Sequence, residues 1–226
     1  MAATRVPLRF VELVGARTLG DGWLAVSRRI LDGGVDATYD AQATLELALL
    51  TLAVAEPDPE DGVIAELGDA EWLAWMNENF FVQKDVPELG DAKSYAVRLF
   101  NYAGSGRDQL AWVVERLRAD PESRSATITT FQPLTDTSYI PCVSLLDFWL
   151  PDGAVELVVY AHSLDFGKKA YGNLVELAAL QTHVARELNA PVGRLVIHAK
   201  SAHIYEPELA LMERLAGVSP RATPRA

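Results

Sequence analysis

Two periodicities divide the chain. Residues 22–33 (GWLAVSRRILDG) carry apolar side chains at helical spacing and end at Gly33-Gly34, a stop signal for a helix. The same spacing predicts helices over 69–81 and, more strongly, over 107–119, where Leu110, Val113, Val114 and Leu117 share one face. A longer helix is expected over about 170–189 with Leu174, Leu177, Val184 and Leu188 inward, and a last one over 206–216. Period-two or continuous apolar runs predict strands at 125–131, 142–150, 154–162 and 194–199, followed by a short extended segment through Tyr205. Pro151-Asp152-Gly153 turns the second of these into the third as a hairpin. Residues 43–55 fit both patterns: Leu45, Leu47 and Leu49 alternate as in a strand, yet the alanines and leucines favour a helix. The acidic, proline-containing stretch 56–61 breaks whichever forms.

Strands and helices mix without regular βαβ alternation, so the expected class is α+β. With no internal repeat, low-complexity tract or linker, one domain is expected over 1–216, followed by a disordered tail at 217–226. Half of the 226 residues are hydrophobic and 23% are charged, an ordinary globular balance. The formal net charge of −11 argues against a nucleic-acid partner, which needs a basic face, but leaves room for a small phosphorylated ligand held by a few local cations. No signal-peptide pattern or apolar run of membrane-spanning length is present, so the expectation is a soluble, cytoplasmic protein without a membrane partner. A single cysteine excludes an internal disulfide and a cysteine-rich zinc site, and no metal is expected.

Three places could carry chemistry. Cys142 follows Pro141 and opens an apolar strand; it is either a small core residue or a reactive thiol, and position alone does not decide. His162, Ser163, Asp165, Lys168, Lys169, Tyr171 and Asn173 crowd the seam between a strand and the long helix. The plainer reading there is a helix cap by Ser163 or Asp165 with solvated lysines. His203 and Tyr205 alternate on an extended segment, so they face one side together, either to hold a hydroxylated ligand or to bond each other.

Taken together, these segments resemble the thymidylate synthase and pyrimidine hydroxymethylase superfamily. Pro141-Cys142 resembles its Pro-Cys nucleophile, and Tyr160 through Asp165 resembles its Tyr-Gln-Arg-Ser-x-Asp stretch. Asn173 falls where its base-reading Asn lies, and His203-Ile204-Tyr205 resembles its His-Ile/Leu-Tyr. The intervals from Cys142 to Ser163, Asp165, Asn173 and His203 match without a gap. Upstream, Asp120 through Arg124 resembles Asp-Pro-x-Ser-Arg-Arg, and Ser94-Tyr95 through Arg98, with Asp108-Gln109, resembles two further segments. The similarity covers about residues 90–210 and is nearest the short, archaeal-like members.

The resemblance implies a thymidylate-synthase-like fold, a mixed twisted sheet packed with helices that dimerises through a sheet face. It implies one-carbon transfer to C5 of a pyrimidine nucleotide through a covalent Cys142–C6 adduct, with 5,10-methylenetetrahydrofolate as cosubstrate and either methylation or hydroxymethylation as outcome. Tyr95 and Asp165 join Cys142 as catalytic positions. Arg124 (from the partner of a homodimer), His162, Ser163, Asn173, His203 and Tyr205 are implied to bind substrate. Asp165, Lys169 and Trp75 are implied to meet the folate. An Asn at 173 suits uracil. The chain also departs from the pattern: His162 and Ser125 stand where the family has phosphate-binding arginines, Val143 and Asp147 replace a His and a Gln, and Lys169 replaces a loop glycine. No Arg-Thr-Gly-Thr loop is present; Arg17, Arg28 and Arg29 are candidate substitutes. The competing class is a non-catalytic or regulatory nucleotide-binding protein that kept the fold; a cysteine hydrolase has no local signature.

Overall fold

The stretch that fitted two patterns is a strand. In the computed structural model, which describes residues 11–39, 41–90, 92–136 and 139–219, Gln42–Val54 forms β3, after β1 (Glu12–Ala16), α1 (Leu19–Gly33) and β2 (Val35–Tyr39). Next come α2 (Gly62–Leu67), α3 (Ala70–Phe81), the short β4 (Asp85–Val86) and β5 (Ala92–Lys93), α4 (Tyr95–Phe100) and α5 (Gln109–Ala119). The second half holds β6 (Ala126–Thr129), β7 (Val143–Trp149), β8 (Val155–Ala161), β9 (Leu164–Asp165), α6 (Ala170–Leu188), β10 (Val192–Tyr205) and α7 (Glu206–Ala216). The long helices lie where the apolar spacing put them, α1 starting three residues early on its Thr18 cap. The expected tail is described only as far as Ser219; Gly217 closes α7 in a left-handed conformation, and residues 220–226 lie outside the described set.

The sheet runs β1-β3-β10-β8-β7-β6, with β2 added to β3 and β9 to β10. Pairs β1/β3 and β10/β8 are parallel, whereas β3/β10, β8/β7 and β7/β6 are antiparallel, giving the mixed sheet expected of an α+β fold. One cross-strand row, Val14, Leu52, Ile197, Val159, Leu146 and Ile128, is buried throughout. Helices α1, α5, α6 and α7 pack against the sheet. The neighbouring row, Leu13, Thr51, His198, Tyr160 and Leu145, points to the opposite face and is part-exposed, with Leu13 at 72% and Tyr160 at 43%.

Alternation does not persist to the strand ends. In β10 the inward residues are Leu195, Ile197 and Ala199, then Ala202 and Ile204; in β3 they are Val54, Leu52 and Leu50, then Leu47 and Leu45. Both strands lose phase at the Leu49–Lys200 level, and Leu49 sits in the left-handed region at φ 56°. Beside them β8 gives way to β9 between Ala161 and Leu164, and β7 shifts register between Val143 and Leu145. This slip explains a correction to the sequence reading: 194–199 and the segment through Tyr205 are one strand, whose alternation breaks in the middle and so reads as two.

The acidic stretch that ends β3 has a structural task. Asp61 Oδ2 accepts from the Gly20 amide at 2.9 Å, while Oδ1 accepts from the Val63 and Ile64 amides at 2.9 and 3.0 Å. One carboxylate therefore caps α2, which the sequence reading missed, and holds the first turn of α1. A Cβ at Gly20 would fall 2.5 Å from Asp61 Oδ1, so only glycine permits the approach. Burial alone would raise the Asp61 pKa, but the amide bonds and the Thr18 hydroxyl outweigh it and hold the carboxyl below its usual value. A depressed carboxylate stabilises the fold above its unfolded pKa and loses that contribution as pH falls through the folded one. We expect Asp61→Ala to cost about 2 kcal/mol in urea unfolding at neutral pH, and to remove part of the acid-induced loss of stability below pH about 4.

Candidate active site

The segment leading into β7 is fixed from two sides. The Val143 amide donates to the Tyr95 hydroxyl at 3.0 Å, and the His162 amide donates to the Cys142 carbonyl at 3.0 Å. Tyr95 is buried and stacked on Phe80 with ring centres 4.3 Å apart. Next to it on α4, the buried Arg98 donates to both carboxylate oxygens of Asp136 at 2.7 and 2.8 Å, and to the carbonyls of Thr130 and Lys93 at 2.8 and 3.0 Å. This bidentate pair ties down residues 130–136; removing one partner would leave a buried charge alone, at a cost of about 3–5 kcal/mol.

On the other side, Asp165 organises the turn into α6. Its Oδ1 accepts from the amides of Gly167 at 2.9 Å and Lys168 at 3.2 Å, so it caps the turn rather than the helix itself. The Trp23 indole donates to the Phe166 carbonyl at 2.9 Å, and the Phe166 amide donates to the His203 carbonyl at 2.7 Å. His203 is the register partner of Asp165. Lys168 and Lys169 place their ammonium groups 5.4 and 5.7 Å from the centre of the Trp72 ring, which stacks on Trp75 at 4.7 Å with planes 9° apart. The Trp72 indole N–H is buried and has no hydrogen-bond partner among the described residues.

Charge defines the cluster. The Lys169 ammonium acts on Cys142, Asp165 and His203 together. The Cys142 thiol is partly accessible, but burial pushes its pKa up; Lys169 and the nearby Tyr139 hydroxyl oppose this, and Asp165 adds to it. Burial raises Asp165 to about 6 against its two amide bonds and Lys169. Burial first and Lys169 second lower His203 to about 4, so its imidazole is neutral at physiological pH. His162 is lowered by burial and by Lys200, and its Nδ1 lies 3.4 Å from the Ser144 hydroxyl.

The remaining expected residues divide. Asn173 is buried on α6 with its amide 3.6 Å from the Met76 sulfur, a weak acceptor that leaves the amide's capacity largely unspent. Ser163 sits in the link between β8 and β9, and the His203 and Tyr205 rings meet edge-on at 5.0 Å. Trp75 takes part through its stack on Trp72. Arg124 is exposed just before β6 and does not join the cluster within one chain. The candidate substitutes are engaged elsewhere: Arg17 with Glu56, Arg29 with Glu12 and Arg28 with the Ala216 carbonyl. Sequence reading missed Tyr139, Trp72 and Glu176. Trp72 could have been found from its i,i+3 spacing to Trp75, and Glu176 as the lone acid on the apolar face of α6, where burial raises it to about 7 against a bond from Asn77.

Because Lys169 adds to burial in holding His203 in the neutral form, removing it should raise that pKa in part. We expect the His203 imidazole to titrate near pH 4 by NMR and to move upward in Lys169→Met. A midpoint close to the ordinary 6.5 in the unsubstituted protein would contradict this placement.

Comparison with known proteins bears on the family. A family model described as thymidylate synthase matches residues 60–226. A protein of Methanothermobacter thermautotrophicus named "Putative thymidylate synthase" is 30% identical over 202 residues, covering 83% of this chain and 90% of the relative. One of the same name from Methanococcoides burtonii is 30% identical over 208 residues, covering 90% and 94%. In Methanopyrus kandleri another is 35% identical over 127 residues, 54% of this chain and 60% of its own. With the matched model spanning most of its length and relatives at that identity and coverage, the chain belongs to the thymidylate synthase family.

Proposed function

We propose that the protein transfers a one-carbon unit to C5 of a uracil nucleotide, with Cys142 as the nucleophile that adds to C6. The observation that carries the reading is the convergence of a partly accessible Cys142 with Lys169, Asp165 and His203, charge-coupled at one end of the sheet. C6 of a pyrimidine is a weak electrophile, so addition needs a thiolate and a stabilised ring carbonyl. The sulfur lone pair forms the S–C6 bond while the C5–C6 π pair moves toward the C4 carbonyl oxygen, leaving C5 nucleophilic. Asn173 offers a donor and an acceptor to the base edge, which suits uracil. His203 and Tyr205 meet the sugar hydroxyl; Ser163 and His162, with Arg124 from a second copy, meet the phosphate.

The fit to 5,10-methylenetetrahydrofolate is favourable. The Trp72–Trp75 stack presents flat aromatic surface, the Trp72 indole N–H is a donor without a partner among the described residues, Lys168 and Lys169 suit carboxylates, and Asp165 can accept from a ring amide. When bound, the folate supplies the one-carbon unit. Asp165 orders the base and folate against each other, and Tyr95 fixes the backbone that carries Cys142. Homodimerisation through the open sheet face is supported by its exposed apolar residues Leu13 and Tyr160. A site of action in the cytoplasm suits a lone, reduced thiol. Among the described residues, no helix is long and apolar enough to cross a membrane.

The competing reading, a nucleotide-binding protein without turnover, draws on the raised thiol. Intact-mass measurement after incubation with 5-fluoro-dUMP and methylenetetrahydrofolate separates the two. We expect a stable adduct on the unsubstituted protein and none on Cys142→Ala; binding without any adduct would support the competing reading. Product analysis with dUMP then distinguishes methylation from hydroxymethylation.

A further inference from the structure

Helix α3 supplies several supports of the candidate site at once. Trp72 and Trp75 form the aromatic stack, the Met76 sulfur meets the Asn173 amide at 3.6 Å, and Asn79 Oδ1 accepts the Tyr95 amide at 3.2 Å. Phe80 stacks on Tyr95, whose hydroxyl holds the Val143 amide beside Cys142. The helix is seated on α6 at close range: a Cβ at Gly172 would fall 3.2 Å from Met76 Cβ and Cγ. Next to that contact lies a carboxyl that the proposed chemistry does not use. Glu176 is 2% exposed, and the Asn77 side-chain amide, donating at 3.3 Å, is its one hydrogen-bond partner among the described residues. Asn173 and Glu176 are i,i+3 neighbours on α6, and Met76 and Asn77 adjoin on α3, so one turn of each helix carries both polar contacts.

A carboxylate withdrawn from water stays ionised only beside a cation or several donors; with one neutral amide, the protonated form is preferred. The charged groups on the elements packed against α6 are engaged elsewhere. Glu78 of α3 pairs with Lys84, Arg116 and Arg118 of α5 bond Ser123 and the Glu187 carbonyl, and Arg28 and Arg29 of α1 bond the Ala216 carbonyl and Glu12. On the sheet, Glu156 of β8 pairs with Arg194 of β10. Glu71, Glu115, Asp21 and Asp32 are solvent-exposed. Among the described residues no charged side chain acts on Glu176; burial raises its pKa from 4.5 to about 7 against the Asn77 bond. Its contribution to the docked state is therefore complete below pH 4.5 and is lost progressively as pH rises through about 7.

We propose that Glu176 is a pH-sensitive latch: as a neutral carboxyl it seats α3 on α6, and on ionisation it loosens that seat together with the site wall that α3 carries. The carboxyl proton passes to water, and no other covalent bond changes. Asn77 is exposed, whereas α6 is buried along the turns on either side of Glu176, so water reaches the carboxylate by movement of α3 rather than of α6. In the opened state the carboxyl is solvated and titrates at its ordinary value. The opening equilibrium of α3 then rises about tenfold per pH unit between the ordinary value and the folded one, and levels off above it. The bearing of the latch on catalysis rests on the reading of Trp72, Trp75 and Asn173 as ligand contacts; the latch itself does not.

The test is amide hydrogen–deuterium exchange of peptides covering α3, read in the full-length protein and in Glu176→Gln across the range from about pH 5 to about pH 8. At each pH the two proteins share the same intrinsic exchange chemistry, so the ratio of their rates isolates the carboxyl. The ratio of the unsubstituted protein to the variant rises about tenfold per pH unit up to the folded pKa and then levels off. The rise is larger in α3 than in α5, which packs on the same helix. A flat ratio overturns the proposal, and so does equal exchange with an equal rise in α5, which is the signature of global unfolding alone. Should Glu176→Gln fail to fold, Asn77→Ala decides. Loss of the one donor moves the levelling-off of α3 exchange, normalised to that of the unfolded chain, to higher pH, and an unchanged profile overturns the proposal. Neither readout uses a nucleotide or folate, so failure here is distinct from failure to form the 5-fluoro-dUMP adduct.

Discussion

A β-strand shows alternate residues to opposite faces, and the candidate site depends on that rule being broken in adjacent strands at nearly the same height. Up to the level of Leu50, Ala199, Ala161 and Val143, the inward rows of β3, β10, β8 and β7 coincide and pack under the helices. Beyond it β3 and β10 slip by one residue, and β8 hands over to β9. In β7 the slip falls just on the other side of that level, between Val143 and Leu145. Cys142, His162, Ser163, Asp165, His203 and Tyr205 all lie at or past this line. Had β10 kept its phase, Ile204 and His203 would have exchanged faces, with an imidazole turned into the core and an isoleucine into the site. The left-handed backbone at Leu49 is the local strain that accompanies the change.

One cation then serves several acids and bases. The Lys169 ammonium opposes the buried, uncharged state of Cys142 and Asp165 and favours it in His203. It stands in a chain that has His162 and Ser125 where the resemblance would put two phosphate-binding arginines, and whose Arg17, Arg28 and Arg29 are committed to other partners. The Trp72–Trp75 stack beneath the two lysines restricts where their charges go, and the Arg98–Asp136 pair does the same for the opposite wall. Electrostatic positioning here rests on fixed supports, which is the condition under which a single charge is effective.

Much of this was legible in the sequence because it is local. The apolar stripes of α3, α5, α6 and α7, the hairpin at Pro151-Asp152-Gly153, and the α+β class all follow from spacing. The expected site residues Cys142, Asp165, Asn173 and His203 fall at the same end of the fold for a different reason: their intervals resemble a known family pattern. What escaped is non-local. Residues 43–55 could not be assigned because Leu49 sits at the phase slip. A slip at Lys200 divided β10 for the same cause, and α2 was missed because its cap, Asp61, also serves Gly20 far upstream. Tyr139 was hidden because nothing in its own segment shows that it comes within electrostatic reach of the thiol.

The central claim, that this arrangement activates C6 of a bound uracil nucleotide toward chemistry at C5, is tested most directly by the release of tritium from dUMP labelled at C5. Release that requires Cys142 and is lost in Cys142→Ala is the predicted result. Saturable binding of the nucleotide with no release, in folded protein supplied with methylenetetrahydrofolate, would contradict the account.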